Sequence, residues 1–236
     1  MEIGGFPLVY KESFRNPRQY LTELYGAIVQ KDIVQDYDIR NIDQLKRFSS
    51  YILVHSGEII STESITGHVR STNEEITVQS CYKYLKCLEE AFLVQKCNRY
   101  DIKGKALLDS KSKYYAVNPG FININEGSAD INKAFILETI VYNELWFRNY
   151  EVHVGKTYNG EVDFVVLDGK KKCYIKVCYL LGTEDTVRRE FGSFSSIKDA
   201  SPRYVLSLDK LDFSHDGITH MNIRDFLTRK KELILL

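Results

Sequence analysis

The stretch 160–179, GEVDFVVLDGKKKCYIKVCY, places an acid, Asp163, within one β-like run, and a lysine, Lys176, and a cysteine, Cys178, within the next. Asp168-Gly169 between them is a hairpin turn signal. Residue types alternate along each arm, so Glu161 and Asp163 share one side of the first strand and Tyr174, Lys176 and Cys178 one side of the second. Upstream, Glu138 lies in a helical run. Carboxylates on two adjacent strands and a helix, with a lysine nearby, suit phosphodiester hydrolysis. Oxygen ligands hold a hard Mg²⁺ ion, and the lysine orients water and stabilises developing charge.

The flanking runs must position these groups. Leu137, Ile140, Val141 and Leu145 surround Glu138 in a predicted helix over 133–149, with Phe135, Ile136, Ile140, Val141, Leu145 and Trp146 on its buried side. A strand over 152–157 should precede the hairpin. A helix over 184–200, with Val187, Phe191, Phe194 and Ile197 as its core stripe, should follow it. A strand over 203–208, a short strand over 218–221 and a last helix over 223–230 complete a small mixed sheet flanked by helices.

The first half reads differently. Leu21, Leu24, Tyr25, Ile28, Val29 and Ile33 recur at helical spacing over 18–34. Three further helices are expected: 43–55, a short one over 62–70, and one opened by Thr77 as N-cap with Val78, Cys81, Tyr82, Leu85 and Leu88 as its apolar stripe. Two β-like runs, 92–102 and 114–117, follow. Between and around them lie Lys96, Arg99, Lys103, Lys105, Lys111 and Lys113 against Asp101 and Asp109. Such a basic wing beside a capped helix suits a nucleic-acid backbone; the same residues also suit a solvated loop or a docking surface for another domain. Asn118-Pro119-Gly120 reads as a break and places the domain boundary there.

Composition narrows the field. Lys+Arg and Asp+Glu each number 32, so the chain is no polycation, although a local basic face is compatible with neutrality. With no long uncharged apolar run, no membrane partner is expected. The opening residues lack a basic segment followed by an apolar one, and a cytoplasmic location is expected. Cys81, Cys87, Cys97, Cys173 and Cys178 show neither a CxxC nor paired spacing with a histidine, which predicts reduced thiols and no zinc site. Gly155-Lys156-Thr157 echoes the end of a P-loop, but Tyr150 stands where its first glycine is needed.

The order Glu138, Gly160-Glu161-Val162-Asp163-Phe164 and Tyr174-Ile175-Lys176-Val177-Cys178-Tyr179 resembles the PD-(D/E)xK restriction-endonuclease-like fold. With Gly4-Gly5-Phe6-Pro7, Leu24-Tyr25, Lys31-Asp32-Ile33, Thr77-Val78 and Tyr114-Tyr115-Ala116-Val117, the chain resembles the C-terminal half of a prokaryotic AAA-type ATPase family of unknown function. The resemblance implies an α+β chain: a helical segment over 1–40 after an ATPase module, a winged helix-turn-helix domain over 41–118 and a restriction-endonuclease-like domain over 119–236. The Gly4-Gly5-Phe6-Pro7 start fits the middle of a longer polypeptide, which would supply the ATPase module as partner, with DNA as a further candidate partner.

An active member of that fold would carry an acid at 176 and a lysine at 178. Lys176 and Cys178 depart from it: an ammonium repels Mg²⁺, and a thiol is a soft ligand. The expectation is therefore a degenerate site without cofactor on a non-catalytic nucleic-acid- or protein-binding region. Two alternatives stand beside it. One is a metal-dependent nuclease with a migrated site, Glu138, Glu161 and Asp163 holding Mg²⁺ and Lys176 as catalytic lysine. The other is a pure protein-interaction module.

Overall fold

The computed structural model describes residues 3–10, 16–61, 64–67, 76–125, 132–158 and 160–236, without the side chains of residues 109 and 110. Two compact units divide the chain: Met1–Lys96 with Lys113–Asn132, and Cys97–Ser112 with Lys133–Leu236. The architecture is mixed α+β.

In the first unit, helix α1 (Pro17–Ile28) begins where the Asn16 side chain accepts from Gln19 N. It continues as a π-helical stretch, Val29–Gln35, which the sequence pattern alone does not announce. Helix α2 (Ile42–Val54) is capped by Asn41, and α3 (Val78–Glu90) by Thr77, whose Oγ1 accepts from Ser80 N at 3.1 Å. Leu45, Phe48, Ile52, Leu85 and Leu88 are buried among them. The expected stripe of α3 needs correction. Val78 and Tyr82 are exposed, and Tyr84 and Cys87 join the buried side instead. Of the expected helix over 62–70, residues 64–67 form a helical turn and the rest lies outside the described residues, as does 71–75. Asn118 opens a helix rather than a break: its Oδ1 accepts from Gly120 N at 2.8 Å at the start of α4 (Pro119–Asn125).

Strand β1 (Val94–Asp101) lies within the expected run, whereas β2 (Ala106–Ala116) is longer, and the connection between them tighter, than the sequence suggested. They lead into one seven-stranded mixed sheet, ordered β2-β1-β3-β4-β5-β6-β7. Its other strands are β3 (Glu151–Lys156), β4 (Glu161–Asp168), β5 (Lys171–Val177), β6 (Arg203–Ser207) and β7 (Ile218–Asn222). β3, β4 and β5 pair antiparallel; β5, β6 and β7 run parallel, and β1 runs parallel to β3. The β4–β5 turn places Gly169 at its first central position with φ +60, a conformation open to glycine without Cβ strain. Opposite a bulge in β4, where residues 163 and 164 face Val154 alone, a Cβ on Gly155 would meet Val162 Cγ2 at 2.4 Å and Val165 Cγ2 at 2.8 Å, so β3 and β4 can approach only around a glycine.

Alternation sorts β4 and β5 into two faces. Phe164 pairs with Ile175 on one. Helix α5 (Lys133–Phe147) packs there, with the Tyr142 ring 6.0 Å from that of Phe164. The predicted helix is present, but its buried side is Ile136, Leu137, Glu138, Val141, Tyr142 and Leu145. Trp146 is 50 % exposed, whereas Phe135 and Ile140 are half-buried. The other face carries Val165, Tyr174, Cys178, Val205 and Ile218 under Phe191, Phe194, Ile197 and Leu181. The helix expected over 184–200 is only α6 (Glu184–Gly192). Phe194 and Ile197 reach the same core from turns, so a helix-like apolar spacing arises without a helix. The last helix, α7 (Ile223–Leu227), is likewise short.

Past α6, the Asp199 carboxylate accepts from Lys172 Nζ at 2.6 Å, Tyr174 OH at 2.6 Å and Ser201 N at 3.0 Å. Partial burial raises its pKa, but these partners outweigh burial and hold the group at about 2 instead of 3.8. A depressed carboxylate contributes stability that is present above its unfolded value and lost as pH falls through its folded value. Acid titration of the second unit, followed by fluorescence of Trp146, the chain's single tryptophan, should therefore show a loss between about pH 4 and 2 that Asp199→Asn reduces. An unchanged acid limb in that variant would exclude this source.

Candidate functional site

The β4–β5 register, continued one step past Phe164↔Ile175, sets Asp163 opposite Lys176. There Lys176 Nζ lies 2.6 Å from Asp163 Oδ1, while Val177 N donates to Asp163 Oδ2 at 2.6 Å. Both carboxylate oxygens are thus engaged. Asp163 is 3 % exposed, and the Lys176 side chain 19 %. Burial pulls the ammonium's pKa down, but the charge and hydrogen bond of Asp163, then the charges of Glu190 and Glu138, raise it above its ordinary value. Lys176 is a firmly held cation, placed where a divalent ion would have to sit if Asp163 were a ligand.

The neighbouring groups extend that picture. Glu138 is buried on α5, and its charge also bears on Lys176. Glu190 of α6, 6 % exposed, acts on Lys176 more strongly than Glu138 does. Its carboxylate also receives the Arg189 guanidinium at 2.8 Å. Sequence reasoning passed over Glu190; the signal was an acid immediately before Phe191 of the apolar stripe, where α6 turns toward the sheet. Glu161, at the start of β4, is half-buried and paired in register with Lys156. Cys178 is buried, and desolvation, aided by Glu190, Asp209 and Asp163, pushes its thiol up to about 12. It stays protonated at neutral pH, unsuited to nucleophilic attack or to binding a metal as thiolate. Among the described residues, no three His, Cys, Asp or Glu side chains are grouped to hold a metal ion.

Beyond Lys176, at the carboxyl ends of the parallel strands, Ser207 and His220 meet at 2.9 Å. Ser207 Oγ donates to Asp209 Oδ2 at 2.7 Å, and Phe213 N donates to His220 Nδ1 at 3.4 Å. The hydroxyl proton is directed to Asp209 rather than to the imidazole, so the order differs from a nucleophile–base–acid relay. Leu181 N also donates to Asp209, so the network ties the loop after β5 to β6 and β7. Burial lowers the His220 pKa and keeps the ring neutral.

The six cations marked by the sequence do not make one face. Lys113 is 3 % exposed, beside its bridge to Ile59, and Arg99 is half-buried. Lys96, Lys103, Lys105 and Lys111 are exposed. Lys103 and Lys105 occupy the β1–β2 turn. Asp101 Oδ1 fixes that turn by accepting from Lys103 N and Gly104 N, each at 3.1 Å, and Lys105 takes φ +52.

Fold and site define a mixed α+β protein in which a half-buried lysine pairs with a buried aspartate between two central strands. The chain belongs to the family described as Domain of unknown function (DUF8612), whose model matches residues 1–129. It is similar to an uncharacterized protein of Haemophilus influenzae, 29% identical over 96% of this chain and 56% of that protein. It is also similar to the uncharacterized protein MJ1544 of Methanocaldococcus jannaschii, 29% identical over 95% of this chain and 51% of that protein. The chain thus spans about half the length of these relatives. No solved structure matches it. No helix among the described residues is long and apolar enough to cross a membrane.

Proposed function

We propose that this chain is a non-catalytic, nucleic-acid-binding region of a longer AAA-type ATPase, built as a winged helix followed by a restriction-endonuclease-like domain whose hydrolytic site is closed. The observation that carries the reading is the 2.6 Å contact between Lys176 Nζ and Asp163. An ammonium paired to Asp163 excludes a divalent cation by repulsion and by occupying its ligand. The helix, helical turn, capped helix and hairpin in sequence order support the winged-helix part. Relatives nearly twice as long leave room for an ATPase module in the same polypeptide. The exposed lysines of the β1–β2 turn support contact with phosphates.

The test is direct. Calorimetric titration with Mg²⁺ and Mn²⁺ should give no binding, and supercoiled plasmid should stay intact with either ion. Metal-dependent nicking by the purified chain, lost in Asp163→Asn, would establish the migrated site and overturn the reading. Nucleic-acid affinity should fall with salt; absent or salt-insensitive binding would instead favour a protein-interaction module.

A further inference from the structure

A cleft of about 660 Å³ opens in the second unit between the β1–β2 turn, the β3–β4 turn and the segment after α6. Ile102 and Ile197, both buried, form its apolar floor. Lys103, Lys105 and Lys198, all exposed, stand on its lip. Tyr158 projects beside them, 87 % exposed, in a turn closed by Thr157 N donating to Gly160 O at 2.9 Å. The one acid lining the cleft, Asp199, is already matched by Lys172 and Tyr174, so it offsets little of the lip's positive charge. The Asp101 hydrogen bonds hold Lys103 and Lys105 on a fixed turn, which reduces the ordering cost of binding.

We propose that this cleft is a binding site for single-stranded nucleic acid, with an unpaired base stacked on Tyr158 over the apolar floor and its flanking phosphates on Lys103, Lys105 and Lys198. The proposal rests on the nucleic-acid reading above and adds where the strand lies and which form is taken. An exposed tyrosine needs a free π-face, which a base stacked inside a duplex does not offer, and an apolar floor has nothing to gain from a duplex backbone. Cations around an aromatic ring are the usual means of holding a single strand without reading its sequence.

The experiment is fluorescence anisotropy with a labelled twelve-nucleotide oligothymidylate, competed by a duplex of equal length. The oligothymidylate should bind more tightly than the duplex. Tyr158→Ala should weaken it by about 10-fold or more, and Tyr158→Phe should restore most of that loss. Combined Lys103→Ala, Lys105→Ala and Lys198→Ala should reduce the salt slope by roughly 0.7 per lysine. All four positions are exposed, so circular dichroism should be unchanged in the variants. Duplex bound as well as or better than the single strand, with Tyr158→Ala silent, would overturn the cleft while leaving a nucleic-acid-binding protein. Failure of both probes to bind would overturn the cleft and the nucleic-acid reading together.

Discussion

Asp163→Ala should destabilise the second unit by about 3–5 kcal/mol, as expected when one partner of a buried ion pair is removed. Lys176 would keep its charge inside the sheet without its 2.6 Å partner, and Val177 N would lose its acceptor. The double variant Asp163→Leu with Lys176→Met should return to within about 1 kcal/mol of the parent, or exceed it, because both desolvation costs vanish together. Urea unfolding followed by Trp146 fluorescence measures all of them. The sign of the pH dependence follows from the raised Lys176 pKa. The pair's contribution is fully present below the unfolded value of 10.5 and is lost as pH rises through the folded value. The gap between parent and Asp163→Ala should therefore be constant from neutral pH to about pH 10 and narrow above it. A single variant as stable as the parent would mean that the lysine finds water and that the ion pair does not close the site.

Phe164→Ala should cost a similar amount, about 3–5 kcal/mol, by leaving a cavity at the centre of the sheet. Phe164 has no exposed surface, and the Tyr142 ring and the β5 side of the sheet enclose it. Trp146→Ala, one turn further along α5, should cost less than about 1 kcal/mol, because half of that side chain is already in water. Chemical denaturation read by circular dichroism suits this pair, since one variant lacks the fluorophore. Equal losses at the two positions would place Trp146 in the core after all. The contrast matters because apolar character alone ranks Trp146 with the buried residues of its helix.

That helix marks a limit of sequence reading. Its run KAFILETIVYNELWF is apolar nearly all round, so periodicity announces a helix without selecting the face it buries. The choice falls to the sheet surface it meets. Phe194 and Ile197 make the same point from the other side: their spacing fits a helix, yet turns deliver them to the core. Capping was more legible, because a side-chain oxygen meeting a backbone N–H three residues on is a local event. Thr77, the one N-cap expected from the sequence, acts as such in the structure, as do Asn16 and Asn41.

By itself the sequence determined the β4–β5 hairpin and the placing of Asp163 on one arm of it and Lys176 on the other. These follow from the two-residue period of a strand and from short-range turn chemistry. It also determined that a lysine and a thiol stand where the resemblance calls for an acid and a lysine. Only the tertiary structure decided that Asp163 and Lys176 pair, that Glu190 outranks Glu138 as the lysine's helical neighbour, and that Lys113 is buried while Lys103 and Lys105 reach solvent. Ion pairing and burial depend on which elements pack together, and residues far apart in the chain settle that by competing for the same surface.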